Sequence, residues 1–307
     1  MMTDYVLETR HLSKLFGRKR ALDDFTLQVQ KGGVHALIGS NGAGKSTLFR
    51  ILLGFLTPNA GSAALLGEDS SALTPATRGR VGYVNEEHTL PGWIRAADLK
   101  KMQQEFYPQW QEDVYRNVIA NFDVDHDQMV SSLSRGERAG FNLAMTLAQN
   151  PELLILDEPT LGLDVVAKQE FLDALLFCSN LDTTVIYCSH QMEEVERLAD
   201  QLIIIENGRL KNQSTPEDFL NRVSLWIVDA IHKQRVRDKI PSLLSCREIE
   251  GEFHFYVLDA ENSFSRQLGL LGINDPVSAP VGLDVAVRAY LSKNHLGADM
   301  TSRGEAA

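Results

Sequence analysis

The chain has 307 residues, with 30 Lys and Arg against 41 Asp and Glu and a formal net charge of −11. That balance excludes a general nucleic-acid binder, which needs basic side chains to neutralise phosphates. At 44% hydrophobic and 23% charged residues, the composition is that of a folded globular protein long enough for one large α/β domain and a small appendix. Cys178, Cys188 and Cys246 are too few for a disulfide framework and have no metal-site spacing. Cys178 and Cys188 sit in apolar runs and read as packing thiols of a reducing, intracellular compartment. The stretch MMTDYVLETRHLSK lacks the apolar core of a signal peptide, and runs such as Leu202–Ile205 fall far short of the roughly 20 residues of a transmembrane helix. The expectation is a chain that is soluble by itself and works at a membrane only through a partner.

In chain order, residues 5–38 alternate apolar and polar positions around a turn-rich break at Gly17-Arg18-Lys19-Arg20, which predicts strands ending in the apolar run Val34–Ile38. A glycine-rich turn and a helix over about 45–53 follow, then short strands over 61–67 and 81–84. From about Arg95 to Phe122 the pattern is helical, broken at Pro108, with aromatics at Phe106, Tyr107, Trp110 and Phe122. Helix is predicted after Gly136, a buried strand over Leu153–Leu156, helix after Asp164, strand over Thr184–Cys188, helix over about 191–199 and strand over Leu202–Ile205. Strands alternating with helices indicate an α/β fold with a mostly parallel sheet, antiparallel strands at its N-terminal side and a helical subdomain inserted over about 86–150. The texture changes after Thr215-Pro216, which divides the chain into a domain over 1–215, a small α+β accessory domain over 216–294 and a frayed tail over 295–307.

Gly39-Ser40-Asn41-Gly42-Ala43-Gly44-Lys45-Ser46-Thr47 matches the P-loop pattern and lies between a predicted buried strand and a predicted helix, the context that this motif requires. Glycines let the backbone form a cradle of N–H donors, and the helix N-terminus favours an anion. Lys45 reaches the β- and γ-phosphates of ATP, and the Ser46 hydroxyl is a ligand for Mg²⁺. The strand Leu153–Leu156 ends in Asp157 and Glu158, at the sheet edge where α/β folds bind ligands. Asp157 is expected to hold Mg²⁺ and Glu158 to act as the general base on the attacking water.

Between these motifs stands Leu133-Ser134-Arg135-Gly136-Glu137, which resembles the signature motif of ABC ATPases, usually written LSGGQ, with Arg135 and Glu137 as departures. In isolation the stretch would read as a plain helix N-cap. The resemblance implies that Ser134 and the amides near Gly136 grip the γ-phosphate of ATP on a second copy, so that a homodimer completes two sites. Further matches run in order. Leu161-Gly162-Leu163-Asp164 resembles the D-loop, with Asp164 coupling the two sites. His190 resembles the switch histidine that contacts the γ-phosphate, and Phe16 sits where the family stacks an aromatic on adenine, a packing aromatic on an edge strand being the other reading. Val81–Glu86 resembles the Q-loop, but Glu86 stands where a glutamine ordinarily meets Mg²⁺.

The resemblance covers about 5–215, and together with Phe106-Tyr107-Pro108-Gln109-Trp110 it is most like bacterial exporter ATPases of the antibiotic-resistance and peptide-export kind. It implies an ATP-hydrolysing subunit bound to the inner face of the cell membrane through separately encoded permease subunits, with importer ATPases left open. Pro280–Tyr290 resembles the closing helix of such exporters. The rival readings are a soluble ABC ATPase, which usually has fused units or coiled-coil insertions not seen here, and a regulator without hydrolysis, against which Glu158 and His190 argue.

Overall fold

The structure, a computed structural model, describes residues 5–178, 182–229, 242–259, 264–270, 273 and 276–292, and the chain divides into two units after Gln213. The expected tail over 295–307 and the side chain of Cys178 lie outside the described residues.

The first unit opens with the antiparallel pair β1 (Tyr5–Phe16) and β2 (Lys19–Gln30), turning at Gly17 with φ 58°. Strands β4 (Ala60–Leu65) and β5 (Glu68–Asp69) extend this sheet in the order β2-β1-β4-β5. Alternation buries Leu22, Phe25, Leu27 and Val29 against Leu48, Phe49, Ile51 and Leu52 of α1 (Lys45–Leu52).

The second sheet holds β3 (Val34–Ile38), β6 (Val81–Val84), β7 (Leu153–Asp157), β8 (Thr184–Cys188), β9 (Gln201–Glu206) and β10 (Arg209–Ser214), in the order β10-β9-β3-β8-β7-β6. Pairings among β6, β7, β8, β3 and β9 are parallel, and β10 returns through Asn207-Gly208, both with positive φ, as a two-residue hairpin. Uninterrupted apolar runs arise because both faces are covered. Leu153, Ile155, Ile186 and Cys188 join the cluster around Phe49, whereas Leu154, Leu156, Val185 and Tyr187 join the opposite one with Phe141 and Phe171. The opposite cluster belongs to α5 (Arg135–Ala148) and α6 (Val165–Cys178), and α7 (Met192–Leu198) leads from β8 back to β9.

Between β6 and β7 the chain forms α3 (Ala96–Phe106) and α4 (Glu112–Ile119), separated by the extended Tyr107-Pro108 break that proline imposes on its predecessor. Val114, Tyr115 and Val118 are buried, and Trp110 packs beside them with its indole N–H donating to Glu112 at 3.0 Å. Trp93 is 76% exposed, so the two tryptophans of this region divide between surface and core. In α5, a Cβ built on Gly140 would lie 2.1 Å from the Phe122 ring, so only glycine lets this helix approach the aromatic. The loop after β6 is anchored by His88, 1% exposed, whose Nε2 donates to the Pro159 carbonyl at 2.7 Å and whose ring meets the Phe171 ring edge-on. Burial pulls its pKa down to about 4. Among the described residues, no helix is long and apolar enough to cross a membrane.

The second unit is an antiparallel sheet of β11 (Val223–Asp229), β12 (Leu243–Ile249), β13 (Glu252–Leu258) and β14 (Val277–Ala279), in the order β12-β13-β11-β14. It carries α8 (Pro216–Arg222), α9 (Phe264–Leu270) and α10 (Leu283–Ser292), the last beginning three residues after the expected Pro280. Phe253, Phe255, Val257, Phe264 and Leu268 form its core.

Two outcomes follow from the packing. Gly140→Ala should destabilise by about 1–3 kcal/mol in denaturant titration, although alanine is the better helix former, because the Phe122 ring must move. For His88, the folded pKa lies below the ordinary 6.5, so between about pH 6.5 and 4 the unfolded chain binds the extra proton. Stability should fall as pH drops through that window, by up to on the order of 3 kcal/mol, and the fall should be smaller in His88→Gln.

Candidate nucleotide site

The phosphate loop joins β3 to α1. Gly44 precedes the helix with φ 114°, and a Cβ there would lie 2.5 Å from the Ala21 carbonyl, so both the turn and the close approach require glycine. Ala43 N–H closes the turn onto the Ser40 carbonyl at 3.0 Å. Lys45 is buried, and its ammonium donates to the Gly39 carbonyl at 2.7 Å and lies 3.8 Å from Glu158.

One pocket is lined by Asn41, Gly42, Ala43, Gly44, Lys45, Ser46, Thr47, Glu86, Asp157 and Glu158, which brings the loop, the segment after β6 and the end of β7 together. Lys19 lines it as well, from the start of β2, and was not foreseen. Its only signal in the sequence is the cationic turn Gly17–Arg20. Phe16, the register partner of Lys19, is half exposed at the end of β1, with the Lys14 ammonium 5.4 Å from its ring centroid. Phe16 and Ser40 do not line this pocket, nor do Ser134, Gly136, Asp164 and His190.

The carboxylates differ in environment. Burial raises the pKa of Asp157, opposed by a hydrogen bond from the Ser46 hydroxyl. Glu158 takes φ 52°, its N–H donates to the Cys188 carbonyl at 3.0 Å, and its Oε2 accepts from His190 Nδ1 at 2.8 Å and His190 N–H at 3.3 Å. A carboxylate only accepts, so Nδ1 carries the proton in this contact. Ser46, Asp157 and Glu86 present hard oxygen donors around one pocket, a set that suits Mg²⁺ sharing phosphate and water ligands.

The Ser134 segment is a complete capping box. Ser134 Oγ accepts from Glu137 N–H at 3.2 Å, and the Glu137 carboxylate accepts from Ser134 N–H at 2.6 Å. Arg135 donates to the Leu161 carbonyl at 2.5 Å, crossing Gly162. Asp164 caps α6, accepting from Val166 and Ala167 N–H at 2.9 Å each.

Comparison with known proteins adds to this geometry. The family described as ABC transporter matches residues 22–161. The Nod factor export ATP-binding protein I of Cupriavidus metallidurans is 30% identical over 82% of this chain and 86% of its own length. Its counterpart in Cupriavidus pinatubonensis is 31% identical over 81% and 79%. A solved ATP-binding subunit of an ABC transporter superposes with TM-score 0.64 at 26% identity, covering 70% of this chain and 92% of the other. A bacterial ABC exporter solved with ATP bound shares the fold at TM-score 0.62 and 23% identity, over 72% of this chain and 40% of the other. Similarity at this level, running across most of both chains in the curated relatives, makes the protein a member of the ABC transporter family of ATP-binding subunits, an ABC ATPase.

Proposed function

We propose that this subunit binds and hydrolyses ATP to drive a separate membrane permease, as an exporter ATPase working by closure of a homodimer at the inner face of the cell membrane. The observation that carries the reading is that Lys45, Asp157 and Glu158 line one pocket with the glycine-rich loop, Glu158 being bonded in turn to His190. Exporter direction rests on the Nod factor export relatives. Residues 1–215 form the ATPase domain, and 216–294 an accessory domain.

The amides of 41–47 and the Lys45 ammonium bind the β- and γ-phosphates, Lys45 exchanging the Gly39 carbonyl for phosphate oxygen. Phe16, at the strand end beside Lys19, stacks on adenine. Ser46, Asp157 and Glu86 hold Mg²⁺, which supplies neutralisation of charge on the phosphate oxygens. Glu158 takes a proton from the attacking water as the water oxygen bonds to the γ-phosphorus and the bond from that phosphorus to the β–γ bridging oxygen breaks, releasing ADP and inorganic phosphate. His190 fixes the carboxylate and contacts the γ-phosphate. In the closed dimer, Ser134 and the amides around Gly136 meet the partner copy's γ-phosphate, and Asp164 couples the two sites. Of the first-turn amides, the capping box engages those of Ser134 and Glu137. Those of Arg135 and Gly136 are left to the phosphate, since the first turn offers no acceptor of its own.

Glu158→Gln should lower kcat for MgATP by roughly 10²–10⁴-fold. Purified with ATP from detergent-solubilised membranes of its native host, this variant should bring down a multi-spanning membrane protein in stoichiometric amount. Recovery from the cytosol alone would remove the transport reading, and absence of turnover in the native protein would favour a non-hydrolysing regulator. Glu86→Gln should keep its activity within about tenfold, equivalent to 1.4 kcal/mol of barrier, because either side chain offers an oxygen to the metal.

A further inference from the structure

A second polar cluster lies behind the Glu158–His190 pair, and it is built around a carboxylate to which the hydrolytic step gives no role. Glu194, on α7, is 1% exposed. Its Oε2 accepts from the Tyr187 and Ser189 hydroxyls, each at 2.6 Å. Its Oε1 accepts from the Thr160 hydroxyl at 2.8 Å and pairs with the Lys168 ammonium at 2.9 Å. A buried charge is costly unless it is paired and fully hydrogen-bonded, and here both oxygens are served. These donors hold its pKa below the usual glutamate value although burial pushes the other way.

The partners share one property. Ser189 directly precedes His190, Thr160 follows Glu158 by two residues, and Lys168 stands on the first turn of α6, just after the Leu161–Asp164 loop. Lys168 also donates to the Gln191 side chain, and Gln191 N–H donates to Ser189 Oγ, so the residue after His190 is tied into the same cluster. A single carboxylate therefore fixes the chain on both sides of the 2.8 Å contact between His190 and Glu158.

We propose that Glu194 is a positioning residue for hydrolysis, holding the segments 159–160 and 189–191 so that the Glu158 carboxylate and His190 keep their mutual geometry. This rests on the reading of Glu158 as the general base. Glu194 touches neither the cradle residues nor Glu158, so its effect passes through the pair and not through nucleotide binding.

The test is a double-mutant cycle on the full-length protein, with single-turnover hydrolysis of MgATP as the readout. Glu194→Gln, which keeps shape and removes charge, should lower the rate by about 10–100-fold while the KM for MgATP stays within about threefold. In the Glu158→Gln background the same substitution should cost less than about twofold, since positions acting as one unit are not additive. Should Glu194→Gln fail to fold by thermal unfolding, Ser189→Ala and Thr160→Val each remove one tie, and each should lower the rate by about 3–10-fold at constant KM. A native rate in Glu194→Gln, or in both hydroxyl variants where it does not fold, overturns the proposal. So does a loss confined to KM, or a full second loss in the double variant. If Glu158→Gln is itself as fast as the native protein, the base assignment falls and takes the role of Glu194 with it. If Glu158→Gln is crippled and the losses still add, the base stands and the Glu194 proposal alone falls.

Discussion

Two neighbouring strand ends are tied together at one residue, and the site depends on that tie. Glu158 leaves β7 with φ 52°, a conformation that costs an ordinary residue roughly 1–2 kcal/mol. Its N–H reaches across to the Cys188 carbonyl at the end of β8, and its carboxylate turns back to accept from His190. Glycine would take this backbone shape without strain but would bring no carboxylate. The strain is thus held by hydrogen bonds to the adjacent strand, and the arrangement exists only because β7 and β8 are parallel neighbours with their carboxyl ends level, Asp157 standing opposite Cys188.

Much of this was legible in the sequence, for a physical reason. A strand covered on both faces must be apolar throughout, so Val34–Ile38, Leu153–Leu156 and Thr184–Cys188 announce themselves, and whatever follows them lies at the ligand-binding edge. The loop before α1, the carboxylates at the end of β7 and His190 after β8 are therefore readable as one neighbourhood. Strand β10, Arg-Leu-Lys-Asn-Gln-Ser, lies at the sheet edge and carries no such pattern. The short helices α2 (Pro75–Arg78) and α8 are marked by a capping threonine and a proline more than by periodicity.

Residues whose role depends on distant partners were the ones that escaped. Lys19 reaches the cradle because the β1–β2 register pairs it with Phe16, a fact of tertiary geometry and not of spacing. Glu194 stands in Met-Glu-Glu-Val-Glu-Arg, where Glu193 and Glu196 are exposed and it alone is buried. Nothing local distinguishes the three. What selects Glu194 is the set of hydroxyls on Tyr187, Ser189 and Thr160, contributed by β8, the turn after it and the loop after β7. His88 is similar, since its donor finds an acceptor 71 positions away, at Pro159.

The Ser134 segment shows that a structural and a functional reading can hold together. Ser134 and Glu137 form the cap that any stable helix could use, and Gly136 stands where an added Cβ would lie 2.9 Å from that of Ala167, so α5 and α6 approach closely. Those requirements explain the residues without a ligand. Yet the cap engages only two of the first-turn amides, and the Arg135 side chain is drawn away to the Leu161 carbonyl. A helix end built this way is stable before any phosphate arrives and still offers N–H groups and a positive dipole to one. The Arg135 contact adds a coupling: the helix end and the loop before Asp164 are joined by a side chain, so a displacement of one works against the other.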